Sequence, residues 1–186
     1  MKVVLIGNTT ATGSSSTALR DAMFYIATEA LNRNWTLGIA DTPENVAIID
    51  EVRATEKGGT IQIYALEATR TRGRSEDDGM IYAPDTVTLN EAMACDADGV
   101  IAVGGIPFGQ SPATDDMSPT LQMLGALKEV RPEIKNVALM GFGGNTAQDR
   151  FRELSSARDE ETTFITSSDP IQAAYEACEA IEFAAT

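Results

Sequence analysis

The chain has 186 residues, no histidine, and a formal net charge of −14 from 28 acidic and 14 basic side chains. A surface of that sign repels nucleic-acid phosphates. The lack of histidine excludes a Ser-His-Asp or Cys-His mechanism and most zinc sites.

Val3 to Ile6 is a continuous β-branched and aliphatic run, the pattern of a parallel strand buried on both faces. A polar loop, Gly7 to Ser16, follows. One of Ser14, Ser15 or Ser16 is expected to N-cap a long helix. That helix carries its apolar residues at Leu19, Ala22, Met23, Ile26, Ala27, Ala30 and Leu31, at spacings of three and four. Trp35 to Ala40 reads as the second strand. Asp41-Thr42-Pro43-Glu44 opens the second helix, with Thr42 as cap, Pro43 in the first position and Glu44 in the positive first turn. Val46, Ile49 and Val52 would form its inner stripe, and Gly58 or Gly59 would end it in a left-handed cap. Thr60 to Leu66 alternates as a third strand. Glu67 to Pro84 is the least regular segment, with Arg70, Arg72 and Arg74 ahead of Glu76, Asp77 and Asp78. It reads as a solvated loop, or as a flap whose arginines reach a phosphate.

Asp85 caps a helix running through Leu89, Ala92 and Met93. Gly99 to Val103 is the fourth strand, followed by a long loop to Met117. Ser118-Pro119 starts a helix through Leu121, Leu124 and Leu127 that closes near Arg131-Pro132. Asn136 to Met140 is the fifth strand, Thr146 to Leu154 a short helix and Thr162 to Thr166 a candidate sixth strand. Asp169-Pro170 begins the last helix, with Ile171, Ala174, Cys178 and Ile181 facing inward. At least five alternations of strand and helix predict an α/β fold. It is a doubly wound, mostly parallel Rossmann-like sheet with helices on both faces, in one domain over residues 1–186.

Cys95 and Cys178 lie in apolar helical patterns and read as small buried hydrophobes. No apolar run nears the roughly 20 residues of a membrane span, and the N-terminus lacks a signal pattern, so a cytoplasmic protein is expected. Only Lys2, Lys57, Lys128 and Lys135 are lysines, which suits a high-salt origin as well as an ordinary acidic cytoplasmic protein.

Four glycine-centred turns follow apolar runs: Ile6-Gly7-Asn8-Thr9-Thr10, Lys57-Gly58-Gly59, Val103-Gly104-Gly105 and Met140-Gly141-Phe142-Gly143-Gly144-Asn145-Thr146. Three stand where a strand gives way to a helix, where glycine lets a ligand reach backbone amides and the helix start favours anions. Ligands of such sheets bind at the carboxyl ends of the strands. The expected ligand-binding residues are Gly7, Asn8, Thr9, Thr10, Gly104, Gly105, Ser111, Gly143, Gly144, Asn145 and Thr146. Asp41 and Glu44 would serve a ribose diol, and Arg20 a phosphate if it faces the mouth.

The order of these features resembles the SLOG superfamily of Rossmann-like domains, which includes cytokinin-activating LOG enzymes and nucleotide-sensing modules. Gly7-Asn8, Asn34-Trp35-Thr36-Leu37-Gly38, Lys57-Gly58-Gly59 and Asp96-Ala97-Asp98-Gly99-Val100-Ile101-Ala102-Val103-Gly104-Gly105 carry the resemblance across most of residues 1–166. The chain lacks the Pro-Gly-Gly-x-Gly-Thr motif of LOG enzymes, with Val103 in place of the Pro, and lacks their catalytic Glu and Arg-Lys pair. It is more similar to the sensor branch. That resemblance implies a cyclic ADP-ribose-type nucleotide as ligand.

The leading expectation is a module that binds a nucleotide or ADP-ribose-like nucleotide sugar, as sensor or sequestering protein. The alternative is an N-glycosidase or nucleoside deoxyribosyltransferase-like enzyme working through a carboxylate. Glu91 and Asp116 are its candidates, with Asp41, Glu44 and Asp115 beside them. A flavin- or NADPH-binding reductase is a third reading of the Gly7 to Ser16 loop. No metal site is expected, nor a nucleic-acid or membrane partner. The family commonly dimerises through helices, and Ile171, Tyr175, Cys178, Ile181 and Phe183 give the last helix enough apolar surface for a homodimer.

Overall fold

The fold is built from parallel strands wrapped by helices on two sides. A computed structural model describes residues 1–7, 14–55, 58–70, 79–103, 126–127, 129–139, 142 and 162–185. The strands are β1 (Lys2–Gly7), β2 (Thr36–Ala40), β3 (Thr60–Leu66), β4 (Met80–Ala83), β5 (Gly99–Val103), β6 (Lys135–Leu139) and β7 (Thr163–Ile165). The helices are α1 (Ser14–Asn32), α2 (Pro43–Arg53), α3 (Thr86–Ala94) and α4 (Pro170–Ala184). All neighbouring strands pair in parallel, in the order β4-β3-β2-β1-β5-β6-β7.

β1 shows why its sequence is uninterrupted in apolar character. Val3 and Leu5 enter one core with α1, α2 and α4, while Val4 and Ile6 enter a second core with α3 and Leu127. A strand buried on both faces has no solvent side to mark with polar residues. Helices therefore cover both faces of the sheet, and the doubly wound α/β expectation is met. In α1 all seven apolar positions of the stripe are buried. Arg33 bonds Glu29 at 2.8 Å, pairs with Glu182, and sits over the rings of Trp35 and Tyr175, tying α1 to α4.

Caps follow the sequence closely. The side chains of Thr42, Asp85 and Asp169 accept from the amides of Asn45, Thr88 and Gln172, and Pro43 and Pro170 open their helices. The amide bonds at the α3 start hold the Asp85 carboxyl below its ordinary pKa. At the amino-terminal edge of the sheet, the Lys2 ammonium donates to Cys95 O at 2.6 Å and Ala92 O at 3.4 Å, capping the carbonyl end of α3. Burial pulls that ammonium below the ordinary lysine pKa.

Several expectations need correction. The segment expected to be irregular contains β4, a strand of four residues entered through Gly79 at φ 76. α2 ends at Arg53 with Ala54 in the right-handed region, so Gly58 and Gly59 do not cap it. They pass close under the α1–β2 turn instead. A Cβ on Gly59 would stand 2.4 Å from Trp35 O and 2.8 Å from Leu31 Cα. α1 begins at Ser14, so the three serines stand in its first turn. The inner stripe of α2 is Asn45, Ile48, Ile49 and Val52, with Val46 half-buried. Ile171 does not face inward but is exposed, while Ala173, Ala174, Ala177, Cys178 and Ile181 make the contact face of α4. Cys178 is buried as expected, but Cys95 is exposed just past α3, where it is the C-cap residue.

Candidate functional site

β1, β5 and β6 are neighbours, and their carboxyl ends are level. Gly7 lies opposite Val103, and Val103 opposite Leu139. The chain runs outward from β1 through β2, β3 and β4, then crosses back to place β5 against the other side of β1. The crevice between β1 and β5 is therefore the topological switch point, where open α/β sheets take their ligands. The three strands that lead into glycine turns meet at this point. Most residues of those turns lie outside the described residues (Asn8, Thr9, Thr10, Gly104, Gly105, Gly143, Gly144, Asn145 and Thr146), as do the candidates Ser111, Asp115 and Asp116.

Gly7 is the described glycine of these three turns, and Phe142 of the third is buried in the core. The Gly7 backbone is not left-handed, so its reason is closeness. A Cβ there would stand 2.5 Å from Met23 Sδ, so glycine lets α1 pack against the end of β1. Asp41 follows two residues after Ile39, as Gly7 follows two after Leu5, and Leu5 pairs with Ile39. Asp41 thus comes directly after β2, near the level of Gly7 at the end of β1. Asp41 is half-buried, and its amide donates to Tyr64 O at 2.8 Å, fixing the exit of β2 against β3. Asn45, 5% exposed, fixes the same turn from below, with Nδ2 donating to Ala40 O at 2.9 Å. Glu44 stands exposed in the first turn of α2.

Two expected site residues are not brought to this place. Arg20 pairs with Glu51, so its charge bridges α1 and α2. Glu91 is exposed near the carbonyl end of α3, beside the Ala92 carbonyl that Lys2 caps at the start of β1. That is the opposite edge of the sheet from Gly7.

The structure adds one pair at the carboxyl edge. The Arg70 guanidinium, just past β3, lies 4.5 Å from the ring centroid of Tyr82 on β4. The arginine was visible in the sequence as part of a basic segment, but its partner belongs to the strand that the sequence hides. Among the described residues no group of three or more His, Cys, Asp or Glu side chains could hold a metal ion. No described helix is long and apolar enough to cross a membrane.

No family model matches the chain, and no curated protein does. Two solved structures resemble it along nearly their whole length. One is the molybdenum cofactor carrier protein of Chlamydomonas reinhardtii, with TM-score 0.61, 14% identity, and coverage of 97% of this chain and 98% of that one. The other is the molybdenum cofactor binding protein of the phototrophic bacterium Rippkaea orientalis, with TM-score 0.59, 16% identity, and coverage of 97% and 96%. At such identities the likeness is one of fold, and it places this chain among Rossmann-like parallel α/β proteins.

Proposed function

We propose that this protein binds a small-molecule ligand at the carboxyl ends of β1, β5 and β6 and carries or sequesters it unchanged. The observation that carries the reading is the adjacency of the three glycine-ended strands around the switch point. Two proteins of this fold are named for carrying or binding the molybdenum cofactor, which supports a carrier over a catalyst. For this chain the ligand class is a nucleotide or ADP-ribose-like nucleotide sugar. Its phosphate would face the turn amides beyond Gly7 and its ribose the Asp41 carboxylate. The acidic surface opposes an anionic ligand at long range, an effect that salt screens within about 10 Å at 0.1 M.

The test is a thermal-shift screen at high salt against AMP, ADP-ribose, cyclic ADP-ribose, NAD, FMN and molybdenum cofactor, with chromatography of each ligand afterwards. A ligand at about 100 times its Kd adds about 2.7 kcal/mol, which raises the midpoint of a chain this size by roughly 5–10 °C. The expected result is such a rise with the ligand recovered intact. No rise with any of them overturns the reading. Turnover would favour the alternative, an N-glycosidase working through a carboxylate. The placement of Asp41 near the level of Gly7 is the observation in favour of that alternative, and Asp41→Asn should then abolish activity.

A further inference from the structure

The chain holds 28 acidic side chains against 14 basic ones, so an arginine on its surface has acids within easy reach. The described arginines mostly use them. Arg20 pairs with Glu51, Arg33 with Glu29 and Glu182, and Arg131 with Glu133, and Arg53 is engaged as well. Arg70 is the exception. Its backbone amide donates to Glu67 O, but among the described residues its guanidinium forms no ion pair and rests on the Tyr82 ring.

A guanidinium laid on an aromatic face is held in orientation without using its N–H donors, which remain free in the fork that matches phosphate oxygens. The Tyr82 hydroxyl beside it is buried and, among the described residues, has no hydrogen-bond partner. The pair stands at the carboxyl edge of the sheet. Tyr82 faces the core that contains α1 and α2, the side on which Asp41 opens α2. From β1 the edge passes β2 to β3 and β4, two to three strand spacings, or about 10–14 Å.

The geometry points to Arg70, laid on Tyr82, as a second anchor of the proposed site, binding a phosphate group at the far end of an extended ligand. The inference rests on the ligand-binding reading above and deepens it. The ligand reaches along the strand ends, with one polar end at the Gly7 turn and a phosphate on the Arg70 fork. A mononucleotide with one phosphate would occupy only one of these two ends.

The probe is inorganic pyrophosphate, titrated calorimetrically into the full chain and into folded Arg70→Gln, Arg70→Lys, Tyr82→Leu and Arg131→Gln variants. Arg131 lies at the opposite edge, where its Nη1 donates to Ala97 O, and controls for loss of one positive charge. Arg70→Gln should weaken binding about tenfold, Arg70→Lys and Tyr82→Leu by less, and Arg131→Gln by less than twofold. The inference fails if the unmodified chain does not bind pyrophosphate, if Arg70→Gln binds as tightly as it, or if Arg131→Gln loses as much. The nucleotide screen tests the ligand-binding reading separately. A ligand that stabilises the unmodified chain and Arg70→Gln equally would leave that reading standing and remove only the second anchor.

Discussion

Adding a single methyl group at residue 7 tests the packing that shapes the candidate site. In Gly7→Ala the new Cβ would lie 2.5 Å from Met23 Sδ and 3.0 Å from its Cε, where ordinary contact needs about 3.5 Å or more. Met23 is fully buried and must move by roughly 1 Å within a close-packed core. Overpacking of this size costs about 1–3 kcal/mol. Residue 7 does not need a left-handed backbone, so no conformational strain adds to this. Removing the obstacle should reverse the sign. Met23→Ala alone costs about 2–5 kcal/mol as a cavity. In that background Gly7→Ala should be neutral or stabilising by up to about 1 kcal/mol, because it restricts the unfolded chain and fills part of the hole. Urea unfolding followed by circular dichroism measures all four proteins. If Gly7→Ala costs the same in both backgrounds, within about 0.5 kcal/mol, the packing argument for this glycine is wrong.

Three further outcomes follow from the structure. Gly79→Ala should destabilise by about 2 kcal/mol or more in the same assay, because residue 79 has φ 76 and its Cβ would meet Ile61 O at 2.2 Å, backbone that cannot step aside; a loss under about 0.5 kcal/mol would contradict this. Burial raises the Cys178 thiol and the Tyr64 hydroxyl to about 12 each. Both groups are held protonated in the fold, so their stabilisation is complete below the unfolded pKa values, about 9 for the thiol and 10 for the phenol, and drains away as pH rises toward 12. Urea midpoints should therefore fall from about pH 9 upward, and less steeply in Cys178→Ala. Ellman's reagent at pH 8 should find one reactive thiol in the native protein, the exposed Cys95, and two in denaturant.

Features that depend on neighbours in the chain were legible in the sequence. The α1 stripe, the run of β1 and the caps Thr42, Asp85 and Asp169 all rest on residues within a turn or two of one another. What stayed hidden depends on distant partners. Gly58 and Gly59 look like a helix cap until the α1–β2 turn is seen above them. Arg20 looks free for a phosphate until Glu51 arrives from α2. β4 has only four residues, too few for alternation to register, and with it Tyr82 and the support under Arg70 were lost. The alternation of elements predicted the fold class. That the three glycine-ended strands stand side by side follows from where the chain crosses back, and no local pattern encodes that crossover.

The central position of β1 also sets the order in which the protein can be built. β1 precedes the other described strands in the chain, yet one of its two partners, β5, comes nearly a hundred residues later. Lys2 and Asp98, joined by a hydrogen bond across that junction, are 96 residues apart. Until β5 is made, β1 to β4 can pair among themselves and leave one flank of β1 unprotected, an apolar template open to any other strand. Pairings this distant in sequence form slowly. A nascent chain of this protein therefore has a window, between the appearance of β4 and the docking of β5, in which premature release or a slowed ribosome would favour aggregation over folding.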